Sequence, residues 1–143
     1  MRPPVVIAAF AICFLGAATL DLVDGLLDLS NAQRRYELLY PHIGWTRDWT
    51  IVALSAIFTI ACIPVALIVI GRSRIARYLA LAASGYAAIA FTQWAIPAWM
   101  ESKSVSPIFG MRGLLMASAF AFLAAPAASR WFAQDRTAQT NNA

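Results

Sequence analysis

The sequence predicts an all-α fold, an integral membrane four-helix bundle, and three observations carry that prediction. Four apolar segments, residues 5–29, 49–70, 78–99 and 113–132, occupy most of the 143 residues. Each runs to about 20 residues or a little more, the length an α-helix needs to cross a hydrocarbon layer ~30 Å thick. Hydrophobic residues make up 61% of the chain and charged residues 13%, against about 45–50% and about 25% in soluble domains. The connections are short, so residues 1–133 form a single membrane domain and 134–143 a polar tail. The net charge of +4 matches arginines at a membrane surface and gives no support to nucleic-acid binding.

The first segment follows Pro3 and Pro4, where a missing N–H costs nothing at a helix start. Arg2 and the small residues Gly16, Ala17 and Ala18 have the look of a secretory leader. The apolar run continues past that point, so it reads as a retained first transmembrane helix. It ends in Asp21, Asp24 and Asp28. The connection over 30–48 is the longest, and its stretch 34–40 suits a short helix on the membrane surface, stopped by Pro41.

The second segment has no charged residue, and Pro64 should kink it. The third is likewise uncharged and meets Pro97 near its end, where a break or kink is expected. The fourth begins near Arg112 and carries Pro126 near its far end. Placing both termini inside puts Arg2, Arg72, Arg74, Arg77, Arg130 and Arg136 on the inner side. Arg34, Arg35, Arg47, Lys103 and Arg112 then fall outside. The bias is small, and the acid-free cluster over 71–77 decides it. The outer surface then gains Tyr36, Tyr40, Trp45, Trp49, Trp94 and Trp99 as an aromatic belt, and the inner surface Tyr78, Trp131 and Phe132.

Small residues indicate packing faces. Ala117, Ala121, Ala125 and Ser129 fall every four residues on the fourth segment, Ala9, Cys13 and Ala17 do so on the first, and Ser84, Gly85 and Ala88 cluster on the third. Such ladders let helix backbones approach in lipid, where no hydrophobic force drives helices together. No internal repeat suggests an inverted-repeat transporter.

The candidate chemistry centres on the acids. Asp21, Asp24 and Asp28 share a helix face, and ionisable groups in a span are costly enough to count as functional candidates. With ~1.5 Å rise per residue, Asp21 lies about 24 Å along the first helix, so an interfacial, purely structural role is the competing reading. Partners at that level are Thr92, Gln93, Arg112 and Arg47. Asp21, Asp24, Gln93 and Arg112, with Arg47, can form a polar pocket for a ligand or ion. Alternatively Arg112 and an aspartate form a clasp between the first and last helices.

No cofactor or metal is expected. His42, the only histidine, reads as a loop residue, and Cys13 and Cys62 lie inside spans, where cysteine behaves as a small hydrophobe. The topology is similar to that of the four-helix sterol isomerase and emopamil-binding family, with acids ending the first helix, Trp49 opening the second and Pro64 within it. That family's pocket also has acids on its second helix, which residues 49–70 lack.

Three functions follow in order. The first is an accessory or assembly subunit of a larger complex, or a homo-oligomer, with the bilayer and other transmembrane helices as partners. The second is a small transporter or a binder of a hydrophobic ligand or cation at Asp21 and Asp24. The third is a lipid- or isoprenoid-modifying enzyme, for which no second catalytic group is in place. The alanine- and arginine-rich composition points to the inner membrane of a bacterium.

Overall fold

The computed structural model describes residues 4–100 and 107–132, with the side chains of 94–100 excepted. Every regular element among them is helical: α1 Val5–Leu27, α2 Leu29–Leu39, α3 Arg47–Val69, α4 Arg74–Met100, α5 Pro107–Ala124 and a short α6 over 126–132. α1, α3, α4 and α5 are long and apolar enough to cross a membrane. The polar tail, together with Arg2, Lys103 and Arg136, lies outside the described residues.

The helix ends follow local chemistry rather than hydropathy, and they move the expected boundaries. α1 stops at Leu27 because Asp28 turns out of the helix and caps α2, its carboxylate accepting from the Asn31 N–H at 3.1 Å. α2 therefore begins five residues before the expected surface helix. Thr46 caps α3 by accepting from the Trp49 N–H at 3.3 Å, and Ser73 caps α4 by accepting from the Ala76 N–H at 3.3 Å. Each cap satisfies a donor that a helix start leaves open. α5 starts at Pro107, a favoured first residue, so Arg112 sits in its second turn rather than at its start. α3 continues through Pro64 and α4 through Pro97.

The largest departure is at the end of the last segment, which is two helices and not one. Pro126 has no N–H for the Phe122 carbonyl, and the chain bends at Ala125. The Ala125 N–H takes the Phe122 carbonyl instead, at 3.3 Å.

α1 packs between α3 and α5, and α4 closes the ring against both. Each neighbour in this ring runs opposite to the next, an up-down-up-down bundle. One half is solid. Ile7, Phe10 and Phe14 of α1 meet Ile68, Ala80, Ala119 and Leu123 there. Beyond the bend α6 packs so that Trp131 and Phe132 join this core, a correction to their expected place as membrane-surface anchors.

Arg72 of the turn between α3 and α4, and Arg74 and Arg77 of the first turn of α4, hold α6 down. Arg77 Nη2 donates to the Leu123 carbonyl at 3.2 Å and to Ser129 Oγ at 2.7 Å. Arg74 Nη2 donates to the Phe132 carbonyl at 3.0 Å, and Arg72 lies over the Trp131 ring at 5.1 Å. The break at Ala125 frees the Leu123 carbonyl at the negative end of α5, and a guanidinium is the group suited to meet it.

Candidate functional site: a cavity closed by an ion pair

The half of the bundle next to α2 is not filled. A cavity of about 550 Å³ lies inside the ring, and all five longer helices contribute to its wall. Its origin is the side-chain size at one level of the bundle: Ala17, Ala18, Ala61, Ala87, Ala90 and Gly113 all face it. Phe58, Phe91, Phe109 and Met116 supply most of the remaining apolar wall. Gly113 is required by contact, because a Cβ there would overlap the Phe91 ring. Gly25 has the same role between α1 and α3, where a Cβ would stand 2.7 Å from Leu54 Cδ2.

The polar residues of the wall are Asp21, Arg35 and Arg112, with Tyr86. Arg112 Nη1 donates to Asp21 Oδ1 in a hydrogen-bonded ion pair between α5 and α1. The same guanidinium lies 5.4 Å from the centroid of Phe109. Arg35 Nη2 stands 3.8 Å from Asp24 Oδ2. Two acids one turn apart on α1 are thus each met by an arginine from a different helix.

α2 and the loop after it form a lid over this end. Gln33 Nε2 donates to the Trp45 carbonyl at 3.0 Å, and Trp45 Nε1 donates to the Tyr40 carbonyl at 3.1 Å. The Tyr36 and Trp45 rings stack with centroids 4.7 Å apart. Burial raises the pKa of the Tyr36 phenol above its usual value, and the negative charge of Asp21 raises it further. The Tyr36 phenol thus feels the Asp21 carboxylate, although it does not line the cavity.

Of the expected pocket residues, the structure brings Asp21 and Arg112 together in the wall and sets Asp24 beside Arg35. Gln93 is exposed and does not line the cavity, and Thr92 turns its hydroxyl onto the Ile89 carbonyl at 2.8 Å. Arg47 is exposed at the start of α3, also away from the wall. Asp28 is a cap. Arg35 was not expected in the wall, nor Tyr36 near it. The signal for them was Asp28, which caps α2 and starts a helix that packs against α1 and α3.

The ladder on the last segment divides. Ala117 and Ala121 are exposed on α5, Ala125 is the bend and Ser129 lies on α6. The face that packs inside the chain is Gly113, Ala119 and Leu123. On α1, Ala17 is buried while Ala9 and Cys13 are partly covered, and on α4 Ser84 is buried. Cys13 and Cys62 are free thiols. No metal-binding cluster of histidine, cysteine and acids occurs among the described residues. No protein-family model, curated protein or solved structure matches this chain.

Proposed function

We propose that this protein binds one amphiphile, an apolar body with a small hydrogen-bond-accepting or anionic head, in the cavity beneath α2. The observation that carries this reading is the cavity's composition: an apolar chamber of about 550 Å³ with its charged groups confined to one end. That volume is in the range of small-molecule sites, roughly 300–1,000 Å³. The wall holds one carboxylate, Asp21, and two guanidiniums, Arg35 and Arg112. Asp21 is already met by Arg112, so the donors left over are guanidinium N–H groups, and they favour an acceptor head over a cation.

The route in also favours a lipid-like molecule. Ile57 of α3 and Tyr86 of α4 line the cavity and are 47% and 77% exposed. On this reading the chamber opens between α3 and α4, where a membrane-dissolved molecule arrives without crossing water.

The test is binding of a fluorescent fatty acid to the protein in neutral nanodiscs. Arg112→Gln should weaken binding about tenfold or more, the scale of a charged hydrogen bond, while Asp21→Asn leaves it equal or tighter. Loss of binding on Asp21→Asn with Arg112→Gln unaffected would replace this reading with a cation or amine site.

A second reading, a subunit held by helix association, is favoured by the outward position of Ala117 and Ala121, which leaves the α5 backbone open to another helix. Ala121→Leu should then dissociate the assembly in native mass spectrometry, and an intact assembly would sink the idea. In either case the reading puts the opposite end, where Arg72, Arg74 and Arg77 lie, at the cytoplasmic face of a bacterial inner membrane.

A further inference from the structure

The arginine end carries a charge distribution that neither the α6 clasp nor the cavity uses up. All five acids among the described residues, Asp21, Asp24, Asp28, Glu37 and Asp48, belong to α1, α2 and the start of α3 at the other end or its approaches. Arg72, Arg74 and Arg77 gather instead around residues 129–132, and Arg130, exposed, belongs to that same stretch. Asp135 lies outside the described residues. The N-termini of α1 and α4 also open toward this end, and their dipoles add to the positive field.

These arginines stand at the head of a particular surface. On α4, Arg74 and Ile75 are followed one turn deeper by Tyr78 and Leu79, and all four are exposed. Ile70 at the end of α3 is exposed beside the same turn. A column with guanidinium at the membrane surface, then a tyrosine, then aliphatic side chains has the order of a phospholipid: phosphate, interface, acyl chain. Arg74 spends one Nη2 donor on the Phe132 carbonyl, and a guanidinium has five N–H donors. That bond holds the group in position, which lowers the ordering cost of meeting a phosphate. Arg77 is different: its Nε is covered by protein, so it serves the clasp.

We propose that Arg74 and Arg130, with Arg72 beside them, hold the phosphate headgroup of an anionic phospholipid, whose chains lie along Ile75, Tyr78 and Leu79. The site is independent of the cavity and of its ligand. The surrounding bilayer is the source, because the aliphatic half of the column has no use for a free anion.

The experiment is native mass spectrometry of the protein released from nanodiscs of phosphatidylcholine mixed with phosphatidylglycerol. The wild type should retain phosphatidylglycerol in preference. Arg130→Gln, a change at an exposed side chain, should cut that preference several-fold. Arg74→Gln with Arg130→Gln should cut it by roughly tenfold or more, with helicity unchanged by circular dichroism. Arg34→Gln with Arg47→Gln removes the same charge at the opposite end and should leave it unchanged. No preference in the wild type, or equal loss from both double variants, overturns the proposal. So does displacement of the lipid by inorganic phosphate at constant ionic strength, which would assign the arginines to a free anion.

Discussion

Arg112 and Asp21, 91 residues apart in the chain, form a hydrogen-bonded ion pair that ties the second turn of α5 to the C-terminal part of α1. The pair closes the ring of helices at the end where the core is hollow. Both side chains are about one-third exposed, so in water such a pair would contribute only about 0–1 kcal/mol.

The pair should be measurable as a coupling. Arg112→Gln and Asp21→Asn should each lower the thermal midpoint in detergent, and the double variant should lose less than their sum. A coupling near 1 kcal/mol is expected. Strict additivity would mean that the two groups do not support one another in the folded protein.

Glycine at 113 should be sensitive and glycine at 110 should not. Gly113→Ala puts a Cβ into the Phe91 ring and should cost about 1–3 kcal/mol, as overpacking does. A Cβ at Gly110 meets nothing within 4 Å, so Gly110→Ala should be neutral or slightly stabilising, because alanine favours the helix. Thermal unfolding of the two variants side by side checks this, and equal effects would contradict the close approach of α4 and α5.

Arg77 and Pro126 should depend on each other. Arg77→Gln removes a charged donor from the Leu123 carbonyl and Ser129 and should cost about 1.5–3 kcal/mol. Lysine should rescue little, since a point charge does not reproduce the forked donor. With Pro126→Ala the helix can continue and supply its own N–H groups, so the same Arg77→Gln change should then cost less. An undiminished cost would show that the freed carbonyl is not what Arg77 serves.

Tyr36 should titrate above its ordinary value of 10.0. A phenol whose folded pKa is raised contributes stability that is present in full below the unfolded pKa. That contribution is lost as pH rises from there through the folded pKa. Spectroscopic titration of tyrosinate, with Tyr36→Phe to assign the signal, measures the shift. Asp21→Asn should lower it part of the way back, because the neighbouring negative charge is the second cause after burial. An unchanged titration in that variant would place Asp21 too far away to matter.

Much of the fold was legible in the residues, and the site only in part. Asp21 stood out because charges are rare in spans, Arg112 because it stood at the same level where the fourth span begins, and they do meet. Gln93 sat at the right height but on the exposed side of α4, since depth can be counted along a sequence while rotation about the helix depends on what packs. Trp131 and Phe132 looked like surface anchors, yet Pro126 folds them into the core.

The sequence by itself determined the number of spans and which charges belong to which end, because the length of an apolar run and the cost of charge in lipid are properties of the local chain. Only the tertiary structure decided which face of each span turns inward, that six small side chains meet at one level to leave a chamber, and that Arg35 and Tyr36 arrive over it. Lipid is as apolar as a leucine side chain and does not choose among faces. The choice falls to shape complementarity between helices, which exists only once they are side by side.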